Sequence, residues 1–323
     1  MPDRPRLLVV NQYYAPGQES TAQLLTELCE ALAEDYDVTV VTGTVHDAPR
    51  PERTTQNGVR VIRVGSTAFD RARLALRGLN YLSFVLLALV TALRRPRPDL
   101  VLSMSDPPFA AAIGVAVARR HRAPLVAVTQ DVFPEIAVAL GRLRNPLLVG
   151  TLDRLVRFGL TRATRVVAIG ERMRRRLEAK GVRGETISVI PNWTDTELLA
   201  PRPRDNGWAR EQGLADRFVV MHSGNIGYAQ DLPTLLRAAA LLRDLDDLVV
   251  VLIGSGALGG TLAEQARRDG LDNVRFLPYQ PRERLPESLA TGDVHVVGLA
   301  RGLAGYVVPS RLYGILAAGR PVV

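Results

Sequence analysis

The chain has one cysteine, Cys29, and one lysine, Lys180, and only 5% of its 323 residues are aromatic. A single cysteine excludes an intramolecular disulfide and a thiolate metal cluster, and fits a reducing compartment. In its helical setting it reads as a small buried hydrophobe. The four histidines, His46, His121, His222 and His295, are scattered without metal-ligand spacing, so no metal site is expected. Neither a Ser-His-Asp arrangement nor a P-loop is evident. The basic residues are not interleaved with the stacking aromatics that nucleic-acid binding favours, so no nucleic-acid partner is expected. The longest apolar run, Tyr81 to Leu93, spans about 13 residues where a bilayer span needs about 20. No cleavable small-residue site follows the N-terminal arginines, and the chain is expected to stay in the cytoplasm.

Arginine supplies nearly all the positive charge, a bias that coding composition explains before function does. The net charge of +8 favours an anionic partner without identifying it. Apolar residues make up 47% of the chain and recur as short β-branched runs between helix-length segments, the composition of a globular α/β protein. The length suits two domains.

Leu7 to Val10, a helix over about 21 to 34, and Val38 to Val41 form a βαβ unit, which requires a parallel sheet covered on both faces. Val59 to Val64 follows the turn at Asn57-Gly58, and Leu100 to Leu102, Leu125 to Val128, Val166 to Ile169 and Ile187 to Ile190 read as further strands. Helices are expected at 110 to 119 and 146 to 161. Tyr81 to Leu93 is flanked by Arg71, Arg73 and Arg77 before it and by Arg94, Arg95 and Arg97 after it. It reads either as a core helix or as a helix lying in an anionic membrane surface. The polar, Pro-rich stretch Pro201 to Gly207 reads as a linker, dividing the chain into domains 1–200 and 201–323. The alternation then restarts, with strands at 218 to 221, 248 to 253, 274 to 277 and 294 to 297 and helices at 231 to 243, 262 to 268, 282 to 289 and 310 to 318. The last residues, Pro321 to Val323, look like a strand just begun, so further elements of the second domain are expected beyond them.

An ordered set of motifs then stands out: Asn11 to Pro16 with Thr21 to Leu25, Asp131 to Glu135 with Leu140-Gly141, Ile190 to Asp195, Ser223 to Gly227, and Val308 to Gly314 leading to Ala317 to Pro321. In this order they resemble retaining glycosyltransferases of family four with the GT-B fold, and within it bacterial surface-polysaccharide enzymes such as fucosamine transferases. The resemblance implies two facing Rossmann-like domains with parallel sheets, the second incomplete here. It also implies a nucleotide sugar, UDP-linked by preference, as substrate, with no further cofactor. Retention in the family is thought to proceed by front-face attack, with the departing phosphate taking the proton.

Transfer from a nucleotide diphosphate requires stabilisation of a leaving pyrophosphate, which helix N-termini and arginines supply. Two helix starts qualify. Pro309-Ser310-Arg311 is expected to bring a hydroxyl, a cation and free amides together, with Arg311 the principal counter-charge and Tyr313 nearby. Ser20-Thr21 is expected to face the diphosphate likewise. The Gly224-Asn225 loop and the Gly254-Ser255-Gly256 turn, a G-x-G-x-x-G that could signal a dinucleotide, are assigned to the nucleotide sugar. Relatives place an arginine and a lysine in the first loop where Asn225 and Gln230 stand, so that loop is expected to lack its own charge. The family's paired glutamates fall near Tyr306 and Gly314, neither of them acidic. Asp131 is the candidate catalytic carboxylate, with helix capping before Pro134 as the plain alternative, and Glu135 and Tyr14 are placed on the acceptor side. Asp244 to Asp247 reads as a solvated turn.

These features imply a transferase moving a sugar to a lipid-linked or glycan acceptor in surface-polysaccharide assembly, peripheral on the inner face of the cell membrane. Two alternatives stay open: an epimerase of UDP-N-acetylglucosamine with the same architecture, and a truncated, non-catalytic binder.

Overall fold

The computed structural model describes residues 4–17, 20–44, 48–67 and 74–323, the side chains of 74–78 excepted. Arg71, Arg73 and His46, with the Arg77 side chain, lie outside the described residues. The chain forms two compact units, Met1–Pro191 with Ala304–Val308, and Asn192–Leu303 with Pro309–Val323.

In the first unit, β1 (Arg6–Val10) leads through α1 (Ser20–Leu32) to β2 (Asp37–Gly43), and β3 (Glu52–Gln56) turns back into β4 (Val59–Val64). Next come α2 (Leu74–Leu93), β5 (Leu100–Ser103), α3 (Ala110–His121) and β6 (Leu125–Thr129). Then α4 (Glu135–Ala139), α5 (Pro146–Arg162), β7 (Arg165–Ala168), α6 (Glu171–Ala179) and β8 (Ile187–Val189) complete it. The eight strands lie in the order β3-β4-β2-β1-β5-β6-β7-β8. All pairs are parallel except β3 with β4. That hairpin closes at Asn57-Gly58, both with positive φ (46° and 81°), the backbone a tight primed turn requires. Both faces are covered, as a parallel sheet demands. Leu8, Val10 and Val41 pack with Phe84 and Ala88 of α2, while Leu7, Val9 and Val40 pack with Leu25 and Cys29 of α1. Burial pushes the Cys29 thiol up to about 12, in keeping with an inert core position.

The apolar run lies within α2, which buries one face and leaves another exposed. In α2, Phe84, Ala88 and Ala92 are buried in the core, whereas Leu82 is 57% and Leu86 56% exposed. No helix among the described residues is long and apolar enough to cross a membrane.

The second unit contains α7 (Gly207–Glu211), β9 (Phe218–Ser223), α8 (Leu232–Leu241), β10 (Leu248–Ile253), α9 (Gly259–Arg268), β11 (Val274–Leu277), α10 (Leu285–Thr291), β12 (Val294–His295) and α11 (Arg311–Ala317). Its strands are all parallel, in the order β11-β10-β9-β12. Pro321 to Val323 run beside β12, with the Val323 amide donating to the His295 carbonyl at 2.8 Å. The Pro201 to Gly207 stretch is tied down within this unit. Arg204 pairs with Asp293 at 2.8 Å, and Asn206 caps α7 by accepting from the Ala209 amide at 3.0 Å. Leu199, ahead of it, is buried with Leu289, Ile315 and Ala318. The chain therefore passes into the second unit at Pro191-Asn192, before the expected linker. Asp244, Asp246 and Asp247 form an exposed turn after α8.

Candidate functional site

In a parallel α/β unit the carboxyl ends of the strands collect ligand-binding loops. Two such loops in the second unit interlock. Gly224 follows β9 and Gly254 follows β10, and the Gly224 amide donates to the Ile253 carbonyl at 2.8 Å. The Ile226 amide donates to the Ser255 carbonyl at 2.9 Å. A Cβ on Gly254 would lie 2.0 Å from the Gly224 carbonyl oxygen, and the residue has φ +134°. Gly254 and Gly256 of the G-x-G-x-x-G turn thus admit the neighbouring loop's backbone, a requirement of packing that stands apart from any dinucleotide.

The charge that the Gly224 loop lacks in sequence arrives from α11. The Arg311 guanidinium lies over Gly224, where a Cβ would stand 3.3 Å from its Cζ. Its Nη1 contacts the His222 ring, 3.0 Å from Nδ1 and 2.7 Å from Nε2. His222 Nε2 is 3.3 Å from the Asn225 carbonyl oxygen. The guanidinium sits against both ring nitrogens and nearer Nε2, so a neutral ring, which keeps one lone pair, can accept from it. A doubly protonated ring would offer the guanidinium no lone pair. Burial first, and Arg311 second, bring the His222 pKa down to about 4, and burial brings that of Arg311 down to about 10. His222 had no motif to mark it in the sequence.

This shift has a consequence for stability. The folded pKa of His222 lies below the unfolded value of 6.5, so the folded state binds fewer protons between the two, and stability is full above about pH 6.5 and falls toward pH 4. Fully buried His222 contributes a loss of about 2 kcal/mol between pH 7 and 5. His295 is shifted in the same direction, mainly by burial. Urea titrations at the two pH values are expected to show a flatter pH dependence in His222→Asn than in the parent chain. Identical slopes would contradict the assignment.

Several expected roles change. Ser310 makes no side-chain cap bond, and the amides of Leu312 and Tyr313 donate to the Pro309 and Ser310 carbonyls, both at 3.3 Å. The Leu312 and Tyr313 amides are thus taken up by the first turn, and the Ser310 hydroxyl stays out of capping beside the Arg311 side chain. Tyr313 is half-buried. Asn225 lies against Gly227, while Gln230 Oε1 accepts from the Gly227 amide at 3.2 Å, so both side chains shape the loop.

In the first unit, Tyr14 is 1% exposed and packs with Leu25 and Cys29 in the core, where burial raises its phenol above the usual range. It is a core residue and cannot meet an acceptor. The Glu135 carboxylate meets the buried Lys180 ammonium through Oε1 at 2.7 Å, which also takes Asp153 at 2.5 Å, while Glu135 Oε2 has no hydrogen-bond partner among the described residues. Asp131 lies three residues ahead of Pro134, which occupies the N-cap position of α4. Its backbone bridges Val307 and the Val132 amide donates to the Tyr306 carbonyl at 2.7 Å, so Ala304–Val308 returns to pack on the first unit. Tyr306 lies under the Arg176 guanidinium at 4.4 Å, and Gly314 of α11 faces Leu199. Ser20, exposed, and Thr21, half-buried, begin α1. Among the described residues no group of His, Cys, Asp and Glu could hold a metal ion.

Residues 21–193 match the glycosyl transferase 4-like domain, and residues 207–323 match glycosyl transferases group 1. The chain is 32% identical over 235 residues to the "Putative colanic acid biosynthesis glycosyl transferase WcaI" of Escherichia coli (strain K12), covering 71% of this chain and 57% of that protein. It thus spans little more than half of that relative's length. With the "Probable glycosyltransferase WbjE" of Pseudomonas aeruginosa it shares 26% identity over 322 residues, covering 98% of this chain and 80% of that one. In fold it is similar to Anabaena Alr3699/HepE, crystallised with UDP and glucose, with a TM-score of 0.71 at 20% identity over 99% of this chain and 80% of the other. The chain belongs to the glycosyl transferases, its first part a glycosyl transferase 4-like domain and its second of group 1.

Proposed function

We propose that this protein is a retaining glycosyltransferase that moves a sugar from a UDP-sugar to a lipid-linked or glycan acceptor during assembly of a bacterial surface polysaccharide. The observation that carries the reading is the Arg311 guanidinium held over the Gly224 loop by neutral His222. A guanidinium offers a rigid fork of donors matched to phosphate, and one that is half-buried is screened less than a surface charge. Placed against a diphosphate, it stabilises the negative charge that develops on the leaving group. The neutral state of His222 leaves the full positive charge facing the ligand. Asp131 serves the acceptor hydroxyl in this reading, and the departing phosphate accepts its proton. Alr3699/HepE was crystallised with UDP and with UDP-glucose, which favours uridine as the base, and the name of WcaI favours a surface polysaccharide as the product. Incubation with a panel of nucleotide sugars, read by melting temperature, is expected to single out UDP-sugars, since ligand at 100 times Kd adds about 2.7 kcal/mol. Release of an epimerised sugar without acceptor would replace this reading.

A lipid-linked acceptor places the enzyme at a membrane surface, and the outward face of α2 suits that surface, with Leu82 and Leu86 beside exposed Arg94 and Arg97. Substituting Leu82 and Leu86 by Ser is expected to reduce sedimentation with anionic vesicles several-fold while leaving the melting temperature within a few degrees, because neither side chain is in the core. Unchanged sedimentation would remove the membrane claim.

A further inference from the structure

At the end of the first unit's sheet where β1 and β2 begin, opposite the end that carries Asp131, lies a hollow of about 440 Å³. Its floor includes Leu8 and Thr39, on the face that α2 packs against, and α2 stops short of covering it. Arginines from four places line it: Arg6 opens β1, Arg53 is on β3, Arg60 is on β4, and Arg95 follows the last turn of α2. The one acid in the lining, Asp37, is already paired with Arg60. Asp99, close by in the chain fold, accepts from the Arg6 backbone amide at 2.8 Å. The side chains of Arg6, Arg53 and Arg95 have no acidic partner among the described residues, and Arg95 Nε is buried without a hydrogen bond. Like charges gathered around a concave, partly apolar floor repel one another, and a bound anion relieves that repulsion.

We propose that this hollow is a binding site for a phosphate-bearing small group, separate from the site at Arg311. Guanidinium forks match phosphate oxygens bidentately, which Lys does not, and the volume falls within the range of small-ligand pockets. The apolar floor accommodates a short carbon skeleton attached to the phosphate, such as glycerol. Two sources present that chemistry: the headgroup of an anionic phospholipid, which the hollow's position at the end of α2 brings within reach, and a soluble phosphorylated metabolite.

The test uses the whole chain and two probes. One is glycerol 1-phosphate, titrated calorimetrically. The other is sedimentation with phosphatidylcholine vesicles, with and without phosphatidylglycerol. The double variant Arg53→Gln/Arg95→Gln is expected to weaken binding roughly tenfold or more, as loss of charge-assisted bonds implies. Arg267→Gln/Arg268→Gln, an equal change of net charge on exposed positions of α9, is expected to retain it. If the double variant melts lower, Arg53→Gln alone, exposed on an edge strand, must still show the loss. Binding of glycerol 1-phosphate without selective vesicle binding assigns the soluble source, and selective vesicle binding assigns the lipid. Failure of the parent chain to bind either probe, or an equal loss in the α9 control, would overturn the proposal. UDP binding tests the other site and is expected to be unchanged in the Arg53→Gln/Arg95→Gln variant.

Discussion

Replacing Arg311 by Gln is expected to lower kcat/KM for sugar transfer by about a hundredfold to a thousandfold, the cost of removing one electrostatic stabiliser of a transition-state charge, about 3 to 4 kcal/mol. Gln keeps hydrogen-bonding capacity toward the His222 ring and removes the positive charge. The expectation rests on how the side chain is held. His222 is fully buried and neutral, the guanidinium lies over a glycine with no Cβ to displace it, and Gly224 is tied to β10 through the Ile253 carbonyl. A charge fixed in advance needs no reorganisation when the leaving group departs. Arg311→Lys is expected to recover little, because an ammonium lacks the planar fork and its stem does not reproduce the contact with the ring. The check is steady-state kinetics with the UDP-sugar that the panel identifies, with the melting temperature measured in parallel. A variant that melts like the parent and turns over at the parental rate would remove Arg311 from the chemistry.

Gly254→Ala is expected to be the most damaging single methyl group in the second unit. The new Cβ would sit 2.0 Å from the Gly224 carbonyl oxygen, closer than any side chain can approach, at a φ of +134° that L-residues rarely adopt. The clash is with backbone, so no rotamer relieves it, and the two loops must separate. A loss of at least about 3 kcal/mol is expected from the strain and overpacking together. Gly259→Ala, at the start of α9, meets nothing within 4 Å and serves as the control. Urea denaturation measures both. Because the Gly224 loop carries the contact with Arg311, any folded Gly254→Ala is also expected to bind UDP poorly. Equal stability of the two variants would contradict the interlocked-loop account.

The parallel strands were legible because burial on both faces writes them as unbroken apolar runs. Leu248–Ile253, buried throughout, lies where the sequence places it, and so does the edge strand Val274–Leu277 despite its exposed Arg275. β3 was not legible: Glu52–Gln56 reads ERTTQ and is held at the sheet edge by hydrogen bonds to β4, with no apolar face to give it away. α9 begins at Gly259, ahead of the expected start at Leu262, because two glycines disguise its first turn. The Ala304–Val308 segment has no local signal, since what fixes it is pairing with Asp131 and Val132 far away in sequence.

The site shows the same division. Arg311 and the two glycine loops were visible as motifs, whereas the partner that holds Arg311 was not, because His222 is an ordinary strand residue until α11 folds against it. Tyr14 misled for the opposite reason. It sits in a motif rich in turn residues, yet its ring fills the space between β1 and α1. The charge pattern of Arg63 was equally silent. Its side chain is fully buried and donates to the Gly43 carbonyl at 2.9 Å and the Ala15 carbonyl at 2.6 Å, pinning the loop after β1. Pairings of this kind depend on which elements become neighbours, and spacing along a chain does not encode that.

The central claim, that Arg311 is the counter-charge for a nucleoside diphosphate, is tested most directly by calorimetric titration of uridine and of UDP into the parent chain and into Arg311→Gln. The account predicts that the parent binds UDP far more tightly than uridine, and that the substitution removes most of this difference while leaving uridine affinity nearly unchanged. Equal weakening of both ligands, or a parent chain that does not distinguish UDP from uridine, would contradict it.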